Sequence, residues 1–297
     1  MTLDTSAPPL TTSATTKPVA SVASPRRSIS RTLANGVLLV IAVCFLLPLA
    51  WLVLASVDVN ASYQTQIPDS VSLENFAAVL TPQLTFIPLM NSAILSGGAA
   101  IVTVVASVLA AYPLSRYSMR FNKHFMYGIL FGTCLPITAI MVPVYSLFVR
   151  LNLLDSMPAA ILFMAATSLP MAIWMTKNFM DSVPVSLEEA AWVDGASAMS
   201  ALRNIVVPLM RPGLGVVFIF VFIQAWGNFF VPFVLLLSPS KQPAAVSIYS
   251  FFGQYGAIAY GQLAAFSVLY SLPVIMLYVL VSRGMGSSFA MSGALKG

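Results

Sequence analysis

Charge is what this sequence has least of. Only 8% of its 297 residues are Asp, Glu, Lys or Arg, and 59% are apolar; a soluble domain carries about a quarter charged. That shortage excludes a single soluble core of this length and leaves an integral membrane protein. Histidine is nearly missing as well. His124 stands alone in a basic stretch, so there is no imidazole cluster for a metal centre or an intramembrane enzyme. Cys44 and Cys134 both fall in apolar runs. They read as buried small residues, with no disulfide and no sign of an oxidising compartment. The net charge of +5 does not indicate nucleic acid, because the basic residues flank the apolar runs as membrane topology requires.

Two further absences bear on mechanism. No Asp, Glu, Lys or His lies in the middle of an apolar run, whereas ion-driven carriers place an ionisable group in the membrane for the coupling ion. This counts against a stand-alone secondary carrier. None of Lys17, Lys123, Lys177, Lys241 or Lys296 follows a glycine, so the P-loop pattern GxxxxGK[ST] is absent. A membrane body with neither an ion site nor a motor implies a separate ATPase.

What the sequence does have is apolar runs. Six are expected to cross the bilayer, near 33–57, 89–112, 125–149, 158–176, 213–237 and 263–282, each close to the about 20 residues a crossing needs. Inside lipid every backbone polar group must be paired, so the runs are helices and the class is all-α. Residues 1–31, rich in Ser, Thr, Pro and Ala, read as a disordered tail. Arg26-Arg27 invites a secretion-signal reading, but the run that follows is too long and lacks a small-residue cleavage site, so it is expected to stay as the first span. With six crossings, Lys17, Arg26, Arg27 and Arg31, then Arg116, Arg120 and Lys123, then Lys177, Arg203 and Arg211, then Arg283 and Lys296 share one side. Arg150 and Lys241 lie opposite, with Asp58, Asp69, Glu74 and Asp155. This asymmetry puts both termini in the cytoplasm. The membrane domain is expected over 32–284, with a cytoplasmic tail over 285–297.

The most informative stretch is 183–212, between the fourth and fifth runs. It carries Glu188, Glu189, Asp194, Arg203 and Arg211, and so many charges must lie in water. Ser186 and Glu189 have capping-box spacing, and Glu188 and Glu189 suit the positive end of a helix dipole. Gly195 permits a turn that a Cβ would resist. A second short helix should start near Ser197 and stop near Pro208. The expected shape is a helix–glycine–helix elbow beside the membrane.

Other features admit two readings each. Pro48, Pro113, Pro136, Pro143, Pro170, Pro232 and Pro273 lie in or at the ends of runs, as hinges or as static kinks. Gly128 and Gly132 form a GxxxG pair that would let helices approach closely. Asn91, Thr138, Thr167, Ser168, Gln224 and Asn228, with Trp226 between the last two, are uncharged polar groups at depth. They either meet a sugar or bond helices together. In the loop 238–262, Tyr249, Phe251, Phe252, Tyr255 and Tyr260 form an interfacial belt or a docking surface.

Glu189-Ala190-Ala191, three residues, Gly195, nine residues and then Ile205-Val206-Val207-Pro208 resemble the EAA loop of binding-protein-dependent ABC importer permeases, with Val207 where the family has Leu. Asp194-Gly195-Ala196-Ser197 is similar to the MalG-like sugar branch. Ala110-Ala111-Tyr112-Pro113-Leu114-Ser115-Arg116 resembles the family's second-helix ending, and Gly293-Ala294-Leu295-Lys296-Gly297 resembles the MalG-type terminus. The resemblance covers almost the whole chain after Arg31 and implies the type I ABC importer permease fold in a bacterial inner membrane. It implies that Glu188, Glu189, Ala190, Ala191, Asp194, Gly195, Ile205 and Pro208 couple to an ATPase subunit. It implies as partners a second, homologous permease, two ATPase subunits (which use the ATP and Mg, this chain binding no cofactor) and an extracytoplasmic sugar-binding protein. Asn91, Gln224, Trp226 and Asn228 are the candidate substrate-path residues, and Tyr249, Phe251, Phe252 and Tyr255 the candidate docking residues. An importer for glycerol phosphates or another polar solute is the runner-up.

Overall fold

A computed structural model describes residues 25–294 except 65 and 254–257, with side chains described over 33–283. The expectation of disorder over 1–24, the role of Lys17 and the docking residue Tyr255 lie outside those residues. The chain divides into two units, 1–50 and 51–297. The first contains most of α1 (Pro25–Ser56), so the helix starts before Arg31, where the tail was expected to end. Side chains from Leu33 to Ala50 are all exposed. Cys44 is among them, which corrects its reading as a buried residue.

Among the described residues of the second unit, the regular elements are all helices. After α2 (Glu74–Val79) a π turn, Pro82–Phe86, leads into α3 (Ile87–Arg116). Then come α4 (Asn122–Gly132), α5 (Ile137–Arg150) and α6 (Met157–Asp181). The elbow holds α7 (Ser186–Val193), α8 (Ala198–Ala201), a π turn over Leu202–Val206 and α9 (Val207–Leu209). The chain ends with α10 (Arg211–Trp226), α11 (Phe230–Leu235), α12 (Ala244–Ser247) and α13 (Tyr260–Ala294). Among the described residues there is no strand, only an isolated bridge between Phe252 and Ile258. α13 carries the helix to Ala294, past the expected start of a tail at 285.

Among the described residues four helices are long and apolar enough to cross a membrane, or up to six spans if each of two bent pairs counts as one. The second bent pair joins Ala198–Leu209 of the elbow to α10 at 79°; the first pair, and a separate break after α10, correct two expectations of unbroken spans. α4 and α5 meet at 88°, because Pro136 caps α5 from an extended conformation and cannot donate a backbone bond to α4. α10 ends at Trp226 and α11 starts only at Phe230, the break falling on Gly227-Asn228-Phe229. Cys134, in the first of these breaks, is exposed and not the buried residue expected.

α3, α6 and α10 form the centre. They approach closely because their contacts are small: Ala99, Ala100, Ala160, Ala165 and Ala172 are buried. A Cβ on Gly213 would lie 2.5 Å from Phe179 Cγ, and one on Gly98 would crowd Ile161. Thr103 donates to the Ala165 carbonyl (3.3 Å), and the Ser107 and Thr176 hydroxyls meet at 3.0 Å. Gly128 and Gly132 have nothing within 4 Å of a built Cβ, so the GxxxG contact does not form among the described residues. Pro48, Pro113, Pro143, Pro170 and Pro273 all lie inside helices.

Candidate functional site

The elbow forms much as its local chemistry dictates, with one exception at its start. α7 ends in a Schellman motif. Gly195 takes φ +85°, its N–H bonds to the Trp192 carbonyl (3.1 Å), and the Ala196 N–H reaches back to Ala191 (2.9 Å). This gives the Glu189-Ala190-Ala191-x-x-x-Gly195 spacing a physical reason: the last alanine supplies the carbonyl that the glycine turn closes onto. Ser197 then caps the next helix, its hydroxyl accepting from the Ser200 N–H (3.3 Å). Pro208 has no N–H for the usual bond. The helix widens before it, and the Val207 N–H bonds five residues back to Leu202. The same device precedes Pro88, where Ile87 bonds to Pro82.

The exception is the N-terminus of α7. Val185 is the cap residue and no side chain caps the helix, so the expected Ser186–Glu189 capping box does not form. Ser186 has already entered the first turn. Glu189 is exposed, whereas Glu188 is fully buried. Glu188 Oε1 accepts from Arg116 Nε at 2.5 Å and Oε2 from the Tyr112 hydroxyl at 2.9 Å. Arg116 also donates to the Val183 carbonyl (3.2 Å) and to Ser115 Oγ (3.2 Å). Ser115 in turn donates to Asp181, which is paired with Lys177. The expectation that every charge in 183–212 lies in water is therefore corrected for Glu188, which is compensated from within the chain.

Under the elbow, Met180, Val183, Leu202, Val206 and Met210 pack against Val108, Ala111 and Tyr112 of α3. Ala190, Asp194 and Gly195 face outward, while Ala191, Ile205 and Pro208 are half-buried. The outer surface also exposes Leu187, Val193 and Met199, with Val193 88% accessible. The result is an apolar knob edged by Glu189, Asp194 and Arg203, standing on a packed floor. Val206, within the quartet quoted for the resemblance, is the buried anchor that sequence reasoning passed over. Tyr112 and Arg116 were missed as partners of the elbow. Their spacing of four at the basic end of a span was the available signal.

The candidate substrate-path residues are not brought together in one lining. Asn91 donates to the Ser240 and Gln242 carbonyls (2.9 and 3.1 Å), while the neighbouring Ser92 accepts from the Ala244 N–H (2.9 Å). This pair ties α3 to the loop that follows α11. Asn228 caps α11 by accepting from the Val231 N–H (3.0 Å). Trp226 is buried and stacked on Phe222 (5.4 Å) and Tyr270 (5.5 Å), in an aromatic ladder that continues through Phe266 to Phe251. Trp226 is thus a packing residue. Gln224 alone of the four is exposed. In the docking set Tyr249 and Phe252 are exposed, but Phe251 is buried against Phe266 and is corrected to a core residue.

At the end of the molecule opposite the elbow, Asp155 adopts φ +58°. It accepts from the Ser238 N–H (2.9 Å), the Ser238 hydroxyl (2.6 Å) and Lys241 Nζ (2.8 Å). Lys241 first, and then Ser238, hold its carboxyl well below the usual carboxylate range. Among the described residues no group of His, Cys, Asp or Glu is placed to hold a metal.

Comparison with known proteins agrees with this geometry. Residues 103–287 match the family model described as "Binding-protein-dependent transport system inner membrane component". The sulfoquinovosyl glycerol transport system permease protein SmoH of Agrobacterium fabrum is 30% identical over 256 residues, covering 85% of this chain and 89% of the relative. The trehalose transport system permease protein SugB of Mycobacterium tuberculosis is 28% identical over 256 residues, covering 85% and 93%. Among solved structures, a bacterial ABC transporter involved in the import of the acidic polysaccharide alginate has a chain that superposes with a TM-score of 0.75. It is 22% identical and covers 88% of this chain and 98% of its own, a likeness of fold.

Proposed function

The chain belongs to the family of binding-protein-dependent transport system inner membrane components, and from that premise we propose that it is one permease subunit of an ATP-driven carbohydrate importer. The sugar class is supported by its similarity to permeases named for sulfoquinovosyl glycerol and trehalose. Half of the translocation path is formed by this multi-pass inner-membrane subunit and the other half by a second, homologous permease. An extracytoplasmic binding protein delivers the sugar. Two ATPase subunits bind ATP and Mg and close on each other.

The observation that carries the coupling part is the two-faced elbow. Its floor is packed on the end of α3, and its outer face exposes Leu187, Val193 and Met199, uncovered by the described residues. An apolar knob beside a membrane and rimmed by charge suits a groove on a soluble subunit. When the ATPase pair closes, the knob is carried with it and the helices above rearrange. Gly195 fixes the direction in which the knob points, because its backbone conformation resists any side chain.

The test is reconstitution with Gly195→Trp or Glu189→Arg. ATP-driven sugar uptake should fall by about tenfold or more, within the range of ordinary coupling energies, and co-purification of the ATPase subunits should weaken. Unchanged uptake with both variants would refute the coupling role.

A further inference from the structure

The structure assigns Glu188 a different task from that of its neighbour Glu189. We propose that Glu188 makes no contact with the ATPase and is the positioning residue that passes elbow movement into α3. This deepens the coupling reading above and rests on it.

Three observations carry the inference. The first is saturation. Glu188 has no accessible surface, and its two oxygens are occupied by Arg116 and Tyr112. Nothing of it is left for a partner to touch.

The second is connectivity. By the chain, the elbow is joined to α6 through Ser182–Val185 and to α10 through Met210, but not to α3. Its bonds to α3 are all non-covalent. Apolar packing of Val183, Leu202 and Val206 against Val108 and Ala111 is non-directional and lets surfaces slide. The Arg116 guanidinium grips Glu188 and the Val183 carbonyl together, and charge-assisted bonds of fixed geometry resist sliding.

The third is reach. Through Ser115 the same arginine is bonded on to Asp181 and Lys177 at the end of α6. α3 meets α6 again at the Thr103–Ala165 and Ser107–Thr176 bonds. A displacement of α7 is therefore delivered to the end of α3 and spread to α6, at the heart of the central triplet. Without the charged fork, the elbow can shift on its apolar floor while α3 stays behind.

The experiment uses the assembled transporter in lipid nanodiscs, with its own ATPase subunits and sugar-loaded binding protein. Glu188→Gln keeps the shape, removes the charge and leaves one acceptor oxygen for Arg116, while its amide nitrogen faces the Tyr112 hydroxyl, which can rotate to accept. The readouts are the ratio of ATPase subunits retained and the ratio of binding-protein-stimulated to basal ATP hydrolysis. Glu188→Gln should retain the ATPase subunits, while the stimulation ratio falls by about tenfold, within the range of allosteric couplings. The reversed pair, Glu188→Arg with Arg116→Glu, should recover part of that ratio. Retained subunits with an unchanged stimulation ratio would overturn the inference, and so would loss of the subunits from an otherwise folded permease. Should Glu188→Gln fail to accumulate, recovery of stimulated hydrolysis in the reversed pair supports the inference and its absence there overturns it. Glu189→Arg and Gly195→Trp run in parallel keep the two levels apart. If they impair coupling while Glu188→Gln is silent, only the present inference falls. If they too are silent, the coupling reading falls and takes this one with it.

Discussion

The two ends of this molecule handle charge in opposite ways. At the elbow end an arginine and a glutamate are taken almost completely out of solvent, their side chains 3% and 0% accessible. At the other end Lys241 and Asp155 pair at 2.8 Å with 44% and 24% of their side chains accessible. Both pairs join segments far apart in sequence. The first is embedded in an apolar floor and the second lies across a loop. A buried pair gains little over an apolar substitute, but losing one partner strands the other. A half-exposed pair loses little either way. The elbow end is thus built so that partial failure is expensive, while the opposite end tolerates change.

The largest expected effect breaks the elbow end alone. Arg116→Ala leaves the Glu188 carboxylate buried and unpaired, and removal of one partner of such a pair costs about 3–5 kcal/mol. Thermal unfolding of the purified permease complex should show a clear drop. Arg116→Lys should not restore it fully, because an ammonium cannot grip Glu188 and the Val183 carbonyl with one planar fork. A midpoint unchanged by Arg116→Ala would remove the distinction between the two ends.

Next come the glycines, which sharpen the comparison within the membrane. Gly213→Val would press a side chain into the Phe179 ring, and overpacking of this kind costs about 1–3 kcal/mol. Gly128→Ala and Gly132→Ala meet nothing among the described residues, and in a helix the gain over glycine is about 0.5–1 kcal/mol. If Gly128→Ala destabilises the assembled complex as much as Gly213→Val, a partner subunit covers α4. Gly195→Ala belongs between these cases. There is open space around it but φ is +85°, and a left-handed conformation costs an alanine about 1–2 kcal/mol. Circular dichroism and unfolding of the variant should show the loss without a change in helix content.

How much of this was readable beforehand depends on how local each cause is. The six apolar runs, the helix break at Gly195 and the Ser197 start are decided by residues within a turn or two, and the sequence states them openly. The breaks at 133–136 and 227–229 are local too: Pro136 interrupts the first, and at the second Asn228 accepts from the Val231 N–H. They were hidden because hydropathy continues straight across them. Glu188 and Glu189 show the limit most clearly. They are adjacent and chemically identical, and they were assigned the same role. About 100° of helix rotation turns one toward Arg116, 72 residues away in sequence, and the other toward solvent. Nothing near them in the chain says which is which. Trp226 and Asn228 were left with two readings, sugar contact or helix packing, for the same reason. Their tertiary neighbours, Tyr270 for one and the start of α11 for the other, make them a stacking residue and a cap.

The smallest effect belongs to the opposite end, and its pH dependence has a definite sign. The Asp155 carboxyl is held below its ordinary value by Lys241 and by two bonds from Ser238. Between the unfolded value, about 3.9, and the lower folded one, the unfolded chain binds the proton and the folded chain does not. Asp155 therefore contributes its full stabilisation above about pH 4, and that contribution drains away as the pH falls below this. Because Lys241 is nearly half exposed, solvent screens the pair and the contribution is at most about 1 kcal/mol. Unfolding midpoints of the parent and of Asp155→Asn should differ slightly but constantly from pH 7 to pH 5 and converge toward pH 3. A gap that widened on acidification would mean that Asp155 takes up its proton more readily when folded, and that the Lys241 contact does not persist in the membrane-embedded protein.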